Sequence, residues 1–298
     1  MRQVACGVYV ETCYASGNVG FVVTSEGVVC IDVPMAFRDV RDWRAQIESV
    51  TDKPIVALIQ TDCDQERTAG AAWVDAPLIA HDAAYDRIRA LNSDRGGGQA
   101  EDTVDRSVRG EDARARVPDI TFSERLVLHK GDREIHVIYG GGHSLATSMV
   151  YLPGDNIVFA GDVIYCNAHP SMSQAETKQW LLTLNQLRKM SVDLIIPGHG
   201  ECCNKDATHI LSEYIRAMRS AVRRHFQAGR SKSETSSAMI SEFMDAFPYS
   251  EKDREAVRQL VKGGSDRIYD EFRAVAKADA TRAKTSSAKG KARGGKGG

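Results

Sequence analysis

The sequence predicts an α/β fold, and three observations carry that reading. Apolar runs of strand length, among them residues 54–60 and 157–160, alternate along the chain with amphipathic helical stretches. Charged or glycine-rich loops follow directly on several of these strands, the position where α/β folds build their sites. At 298 residues the chain is long enough for one large domain of this class or two small ones.

Taken in order, residues 8–11, 20–24 and 28–33 read as strands, the last two joined by a Ser25-Glu26-Gly27 hairpin turn. Val40, Trp43, Ile47 and Val50 fall on one face of a helix over 38–50. Strand 54–60 then stops abruptly in Asp62, Asp64, Glu66 and Arg67, and the small residues of 68–73 open another helix. A short strand at 77–80 and a helix from 82 to about 91 come next. Residues 92–117, with three consecutive glycines and a dense mixture of Asp, Glu and Arg, bury too little apolar surface to pack; a mobile surface insertion is expected, with a substrate lid as the sharper alternative. Strands resume at 120–122, 126–129, 134–139, 147–152 and 157–160. An amphipathic helix at 174–190, a strand at 193–196 and three helical segments, 206–228, 232–246 and 251–275, complete the pattern.

Charge narrows the partners. The net is −1, but residues 277–298 hold seven Lys or Arg against Asp279 alone, a local +6 that leaves about −7 on the rest. The folded part is mildly acidic and is no nucleic-acid surface. The tail itself is low in complexity and is expected to be disordered. No apolar secretory segment opens the chain, and no run approaches the roughly 20 apolar residues that span a bilayer. Cys6, Cys13, Cys30, Cys63, Cys166, Cys202 and Cys203 are scattered without CxxC spacing, which argues for reduced thiols and a cytoplasmic location. Cys63, inside the acidic stretch, and Cys202, after a His-containing loop, are the candidates for reactivity; a small buried hydrophobe is the commoner role.

Side chains at i and i+2 of a turned segment point the same way, so Asp62 and Asp64 aim at one place and repel each other there unless a cation intervenes. A solvated acidic loop partly neutralised by Arg67 is the plain alternative. Three further loops have a similar placement: strand 134–139 runs into Gly140-Gly141-Gly142-His143, 157–160 into Gly161-Asp162, and 194–197 into Gly198-His199-Gly200. This order of acidic motif, Gly-His, Gly-Asp and Pro-Gly-His-Gly resembles the metallo-β-lactamase superfamily over roughly residues 4–205, with Asn18-Val19-Gly20-Phe21, Ile31-Asp32 and Thr61 as supporting details. The resemblance implies a four-layer αβ/βα sandwich with its metal site along one edge between the sheets.

The superfamily's His-x-His-x-Asp-His motif is here Asp62-Cys63-Asp64-Gln65-Glu66-Arg67. Carried over by position, the expected metal ligands are Asp62, Asp64 and His143 for a first ion, Glu66 and His199 for a second, and Asp162 as the carboxylate that bridges the two. Arg67 stands where a His binds that second ion, yet a guanidinium has donors only and cannot ligate. An Arg at this position is similar to the mono-zinc carbapenemase subclass, whose motif reads Asn-x-His-x-Asp-Arg. The resemblance implies one or two divalent ions, zinc by family, while the oxygen-rich donor set leaves iron or manganese open. With Asp62, Asp64 and Glu66 within five positions, Arg67 is expected to turn inward and pair with one of them rather than outward toward an anionic substrate.

The leading expectation is a hydrolase in which a metal-activated water attacks an ester, lactone, thioester, amide or activated carbon-halogen bond of a small molecule. Asp64 or Glu66 is the candidate general base; Tyr165 and His169 are candidates for binding the oxyanion or protonating the leaving group, each against ordinary loop packing. Two other readings stay beside it: a dinuclear iron or manganese enzyme of redox or oxygen chemistry, and a catalytically inactive binding module. The expected organisation is a core at 1–205, a helical extension at 206–276 that covers the active-site edge or meets a second subunit in a homodimer, and the basic tail at 277–298.

Overall fold

The structure is a computed structural model that describes residues 1–94 and 115–293. Seven strands form the first sheet in chain order: β1 (Arg2–Ala5), β2 (Val8–Glu11), β3 (Val19–Val23), β4 (Val28–Ile31), β5 (Ile55–Ile59), β6 (Leu78–His81) and β7 (Ile120–Phe122). The first four pair antiparallel and the last four parallel. Helix α1 (Phe37–Glu48) makes the crossover from β4 to β5, and α3 (Asp82–Asp94) follows β6. The second sheet has the order β12-β11-β10-β9-β8. It comprises β8 (Arg125–Lys130), β9 (Arg133–Tyr139), β10 (Ser148–Leu152), β11 (Ile157–Tyr165) and β12 (Leu194–His199); α4 (Thr177–Lys189) links the parallel pair β11 and β12.

Alternation along β4 and β5 explains the layers. Ile31 and Ile59 face Val137, Val150 and Phe159 of the second sheet in a shared core. Their neighbours Cys30 and Leu58 point to the opposite face and pack with Val40, Trp43 and Ile47 of α1. Both strands read as unbroken apolar runs because both of their faces are covered. Behind the second sheet, Trp180 of α4 is buried and donates its ring N–H to the Val163 carbonyl at 2.9 Å. These layers form the α/β sandwich that the resemblance implied. Because β4 to β7 run parallel, Asp32 and the whole 61–67 stretch emerge along one edge.

The structure departs from the sequence reading at several points. Strand β1 carries exposed Arg2 and Gln3, which hide it from a search for apolar pattern. Residues 65–73 are a short helix α2 (Gln65–Thr68) and a 3-10 turn, Ala69–Trp73, in which a Cβ at Gly70 would overlap the Pro34 carbonyl. β11 continues five residues beyond 160, through register shifts on either side of Gly161, so Asp162 and Tyr165 stand on a strand instead of a loop. Most of the expected 92–117 insertion lies outside the described residues.

Contacts divide the chain into two compact units, one of Met1–Ala168 with Glu176–Glu213, the other of His169–Ala175 with the chain from Tyr214 onward. The first turns of α5 (Asp206–Gln227) are held within the first unit, where Arg188 donates to Thr208 O and Ser212 Oγ. In the second unit, α6 (Lys232–Phe243) opens with a capping box between Ser231 and Glu234. Ser236 and Lys232 bind Asp266 and Asp270 of α7 (Arg254–Arg293). That helix covers residues 277–293, where composition predicted disorder; Ala and Lys are strong helix formers once a helix is under way.

Candidate metal centre

Asp62 leaves the end of β5 with 1% of its surface exposed. Its Oδ1 accepts from the Cys63 N–H at 2.7 Å and Ser144 Oγ at 2.6 Å; its Oδ2 accepts from Thr147 Oγ1 at 2.7 Å and from His143 Nδ1 at 3.1 Å. A carboxylate offers about four acceptor directions, so those of Asp62 are all engaged. Burial alone would raise its pKa, but the charge and hydrogen bond of His143, with Ser144, hold it below the usual range. His143 is delivered by Gly141 and Gly142, both at positive φ; a Cβ at Gly142 would overlap the Trp180 backbone. With Nδ1 donating to Asp62, the Nε2 of His143 faces Tyr165 Oη at 3.2 Å and Asp64 Oδ2 at 3.9 Å. Burial opposes the charged imidazole, yet Asp62, Asp162 and Asp64 together hold its pKa up at about 9. The Asp64 pKa is raised as well, to about 6, by burial and the neighbouring Asp62 charge.

Arg67 occupies the other half of the site, also 1% exposed. It turns inward as expected, but its partner is Asp162 and none of Asp62, Asp64 or Glu66. Nη2 and Nε reach the two Asp162 oxygens at 2.6 and 3.1 Å, Nη1 donates to Asn18 O at 3.0 Å, and Nη2 also meets Gly198 O at 3.1 Å. Asp32 Oδ2 lies 3.6 Å from Nη1, while the same carboxylate binds the N–H and hydroxyl of Thr61. Against the cost of burial, this guanidinium holds Asp162 well below the usual carboxylate range. Two glycines make the room: a Cβ at Gly198 would overlap Asp162 Oδ1 and sit 2.7 Å from Arg67 Nη2, and one at Gly17 would sit 2.8 Å from the same nitrogen.

His199 closes the edge, its Nε2 at 3.4 Å from Asp162 Oδ1 and 3.7 Å from Glu66 Oε2. Its ring stacks on Tyr165 with centroids 4.8 Å apart, so one tyrosine touches both histidines. Burial drives the Tyr165 hydroxyl well above its ordinary pKa, which keeps it a donor. Glu66 is 56% exposed by side chain and meets solvent. His169 is not among the side chains gathered here. It belongs to the second unit, where Nε2 bonds Met244 O at 2.9 Å and the ring packs edge-on against Tyr214 and Phe247. Ser144, Thr147 and Gly17 escaped the sequence reading, since a hydroxyl or a glycine in a loop carries no spacing signal.

Within residues 15–199 the chain matches the model of the family described as the metallo-beta-lactamase superfamily. The chain belongs to that superfamily. It is 25% identical over 191 residues to metallo-beta-lactamase IND-1 of Chryseobacterium indologenes, covering 62% of this chain and 72% of that protein. With a type 2 metallo-beta-lactamase of Elizabethkingia meningoseptica it shares 22% over 213 residues, 68% of this chain and 78% of the relative. The solved metallo-beta-lactamase from Pontibacter korlensis is similar in fold, with a TM-score of 0.60 at 20% identity over 72% of this chain and 97% of that one. Superfamily membership supports a metallo-hydrolase-like function and implies a divalent metal, usually zinc. Asp62, Asp64 and His143 bring ligand atoms within 4.8 Å of one another, the one such group among the described residues, and within it Asp64 and the Nε2 of His143 suit such an ion, while Asp62 is engaged by its own hydrogen bonds.

Proposed function

We propose that this chain is a metal-dependent hydrolase that works with a single divalent cation. The observation that carries this is the bidentate pair of Arg67 on Asp162, which puts a permanent cation where a second metal would need a carboxylate. Asp64 and the Nε2 of His143 are the groups that would hold the ion. Asp62 stands behind His143 and fixes its tautomer through Nδ1, the carboxylate–histidine arrangement that orients metal-binding imidazoles. When bound, the metal supplies a Lewis acid that acidifies water and polarises a carbonyl.

The chain's own residues supply the rest. Tyr165, held protonated beside His143, donates to an oxyanion that develops there. Glu66 exchanges protons with solvent and passes them through His199 to a leaving group. Arg67 and Asp162 keep that histidine in place. Because relatives carry the name metallo-beta-lactamase, a cyclic amide is the first substrate to try, followed by small esters, lactones and thioesters. The dinuclear redox reading is disfavoured by the same Arg67–Asp162 pair.

The test is hydrolysis of a chromogenic β-lactam, an aryl ester, a lactone and a thioester by chelator-stripped protein, before and after adding zinc or manganese. Turnover of at least one compound that needs metal and vanishes in Asp64→Ala and His143→Ala is expected. Asp62→Asn should weaken metal affinity by roughly 10-fold to 100-fold without abolishing it. Metal-independent turnover, or turnover unchanged in either alanine variant, would refute the proposal.

A further inference from the structure

Helix α7 packs within its unit through Phe272. Ser236 and Lys232 of α6 bind Asp266 and Asp270, Arg219 of α5 pairs with Glu271, and Phe226 meets Tyr269 and Phe272 at ring centroid distances of 5.1 and 6.2 Å. From Arg273 to Thr281 every residue is exposed, and the helix runs on to Arg293, about 30 Å of helix in all. Over positions 277–293 it holds Lys277, Arg282, Lys284, Lys289, Lys291 and Arg293 against Asp279, six charges against one and a net of +5; every other position there is Ala, Gly, Ser or Thr. At roughly 100° per residue, positions 277, 284 and 291 fall in one row, and 282, 289 and 293 in a second row roughly 160° away around the axis. Like charges one turn apart, as at 289 and 293, oppose the helix, and Gly290 weakens it further, so a polyanion that neutralised the rows would stabilise it.

We propose that residues 277–293 of α7 bind duplex DNA without sequence preference, the helix lying in the major groove with one basic row toward each phosphate wall. That groove is about 12 Å wide and admits one α-helix, whereas the major groove of duplex RNA is too deep and narrow for it. The small residues between the rows allow a close approach, and the binding free energy comes from the counterions that the phosphates release. A membrane surface fits less well. No Leu, Ile, Phe, Met or Trp follows Val275, so the apolar face that an interfacial helix sinks into lipid is missing from the sequence. None of the side chains gathered at the metal centre belongs to α7, so the inference stands apart from the proposed hydrolysis.

The test is fluorescence anisotropy of a labelled mixed-sequence DNA duplex titrated with the full chain. Affinity should fall about a thousandfold between about 50 and about 200 mM salt, a logarithmic slope of about −5 for six neutralised phosphates. The DNA duplex should bind more tightly than an RNA duplex of the same sequence. In a full chain carrying Lys277→Gln, Arg282→Gln, Lys284→Gln, Lys289→Gln, Lys291→Gln and Arg293→Gln together, binding should vanish at an unchanged melting temperature. Ala288→Pro keeps every charge but breaks the helix, and should weaken binding. No binding by the wild type at about 50 mM salt, a slope shallower than about −2, or equal affinity for duplex RNA would overturn the proposal. So would binding that survives the six replacements or is unchanged in Ala288→Pro, and capture by phosphatidylserine vesicles in preference to DNA would overturn it in favour of a membrane. The slope, the comparison of the two duplexes and the vesicle result are read on the wild type and do not depend on how the variants fold.

Discussion

Arg67 holds a full charge in the interior because Asp162 answers it with both oxygens and Asp32 lies close by. Removing one member of a buried pair leaves the other uncompensated, at a cost of about 3–5 kcal/mol. Arg67→Met should lose that much in denaturant unfolding, and a loss under about 1 kcal/mol would mean that water already solvates Asp162. His143 gives the pH signature of the metal-free protein. Its pKa rises on folding from an ordinary 6.5 to about 9, so the folded state binds the extra proton. The stability it contributes is complete below pH 6.5 and is lost as pH rises through about 9. Unfolding free energies measured in chelator across that window should fall with pH, and the slope should flatten in His143→Gln. A flat wild-type profile would show that the imidazole is neutral throughout. At this scale the sequence marked His143, Asp162, His199 and the inward Arg67, but not the partner of Arg67. Asp162 lies 95 residues away, and only packing of the two sheets brings it to the guanidinium.

Strand ends and glycines set the geometry of the elements that bear these groups. The end of β12 is pinned to the residue before β3: Asn18 Nδ2 donates to Pro197 O and Gly200 O, and its N–H donates to Gly198 O. Gly198 stands on this strand because no side chain fits between its Cα and the Asp162–Arg67 pair. Gly198→Ala should cost about 1–3 kcal/mol, as overpacking of a filled interior does. Gly154→Ala is the control, since nothing lies within 4 Å of its added Cβ. Equal melting temperatures for the two variants would count against the crowding argument. The same physics explains what was legible. Doubly covered strands such as β4 and β5 announce themselves as apolar runs, and α1 by its helical spacing. The extension of β11 through Asp162 to Tyr165 was hidden, because Gly161 and Asp162 look like a stop until their pairing with β12 is known.

Across the whole molecule, the superfamily likeness read from four loop motifs carried over to the sandwich, whereas the long α7 depends on helix propagation that composition does not encode. Function divides in the same way. The loops identify the edge that bears the site, and the number of ions it takes depends on whether a guanidinium or a metal neutralises Asp162. A ligand that binds only the folded state must raise stability by mass action, so zinc or manganese should raise the melting temperature of chelator-stripped protein; an inert binding module would ignore both. The most direct measurement is the metal content of folded chain saturated with zinc and freed of excess by gel filtration. One ion per wild-type chain is expected, with Arg67→His taking up a second as an imidazole replaces the guanidinium. Two ions bound to the wild-type chain would contradict it.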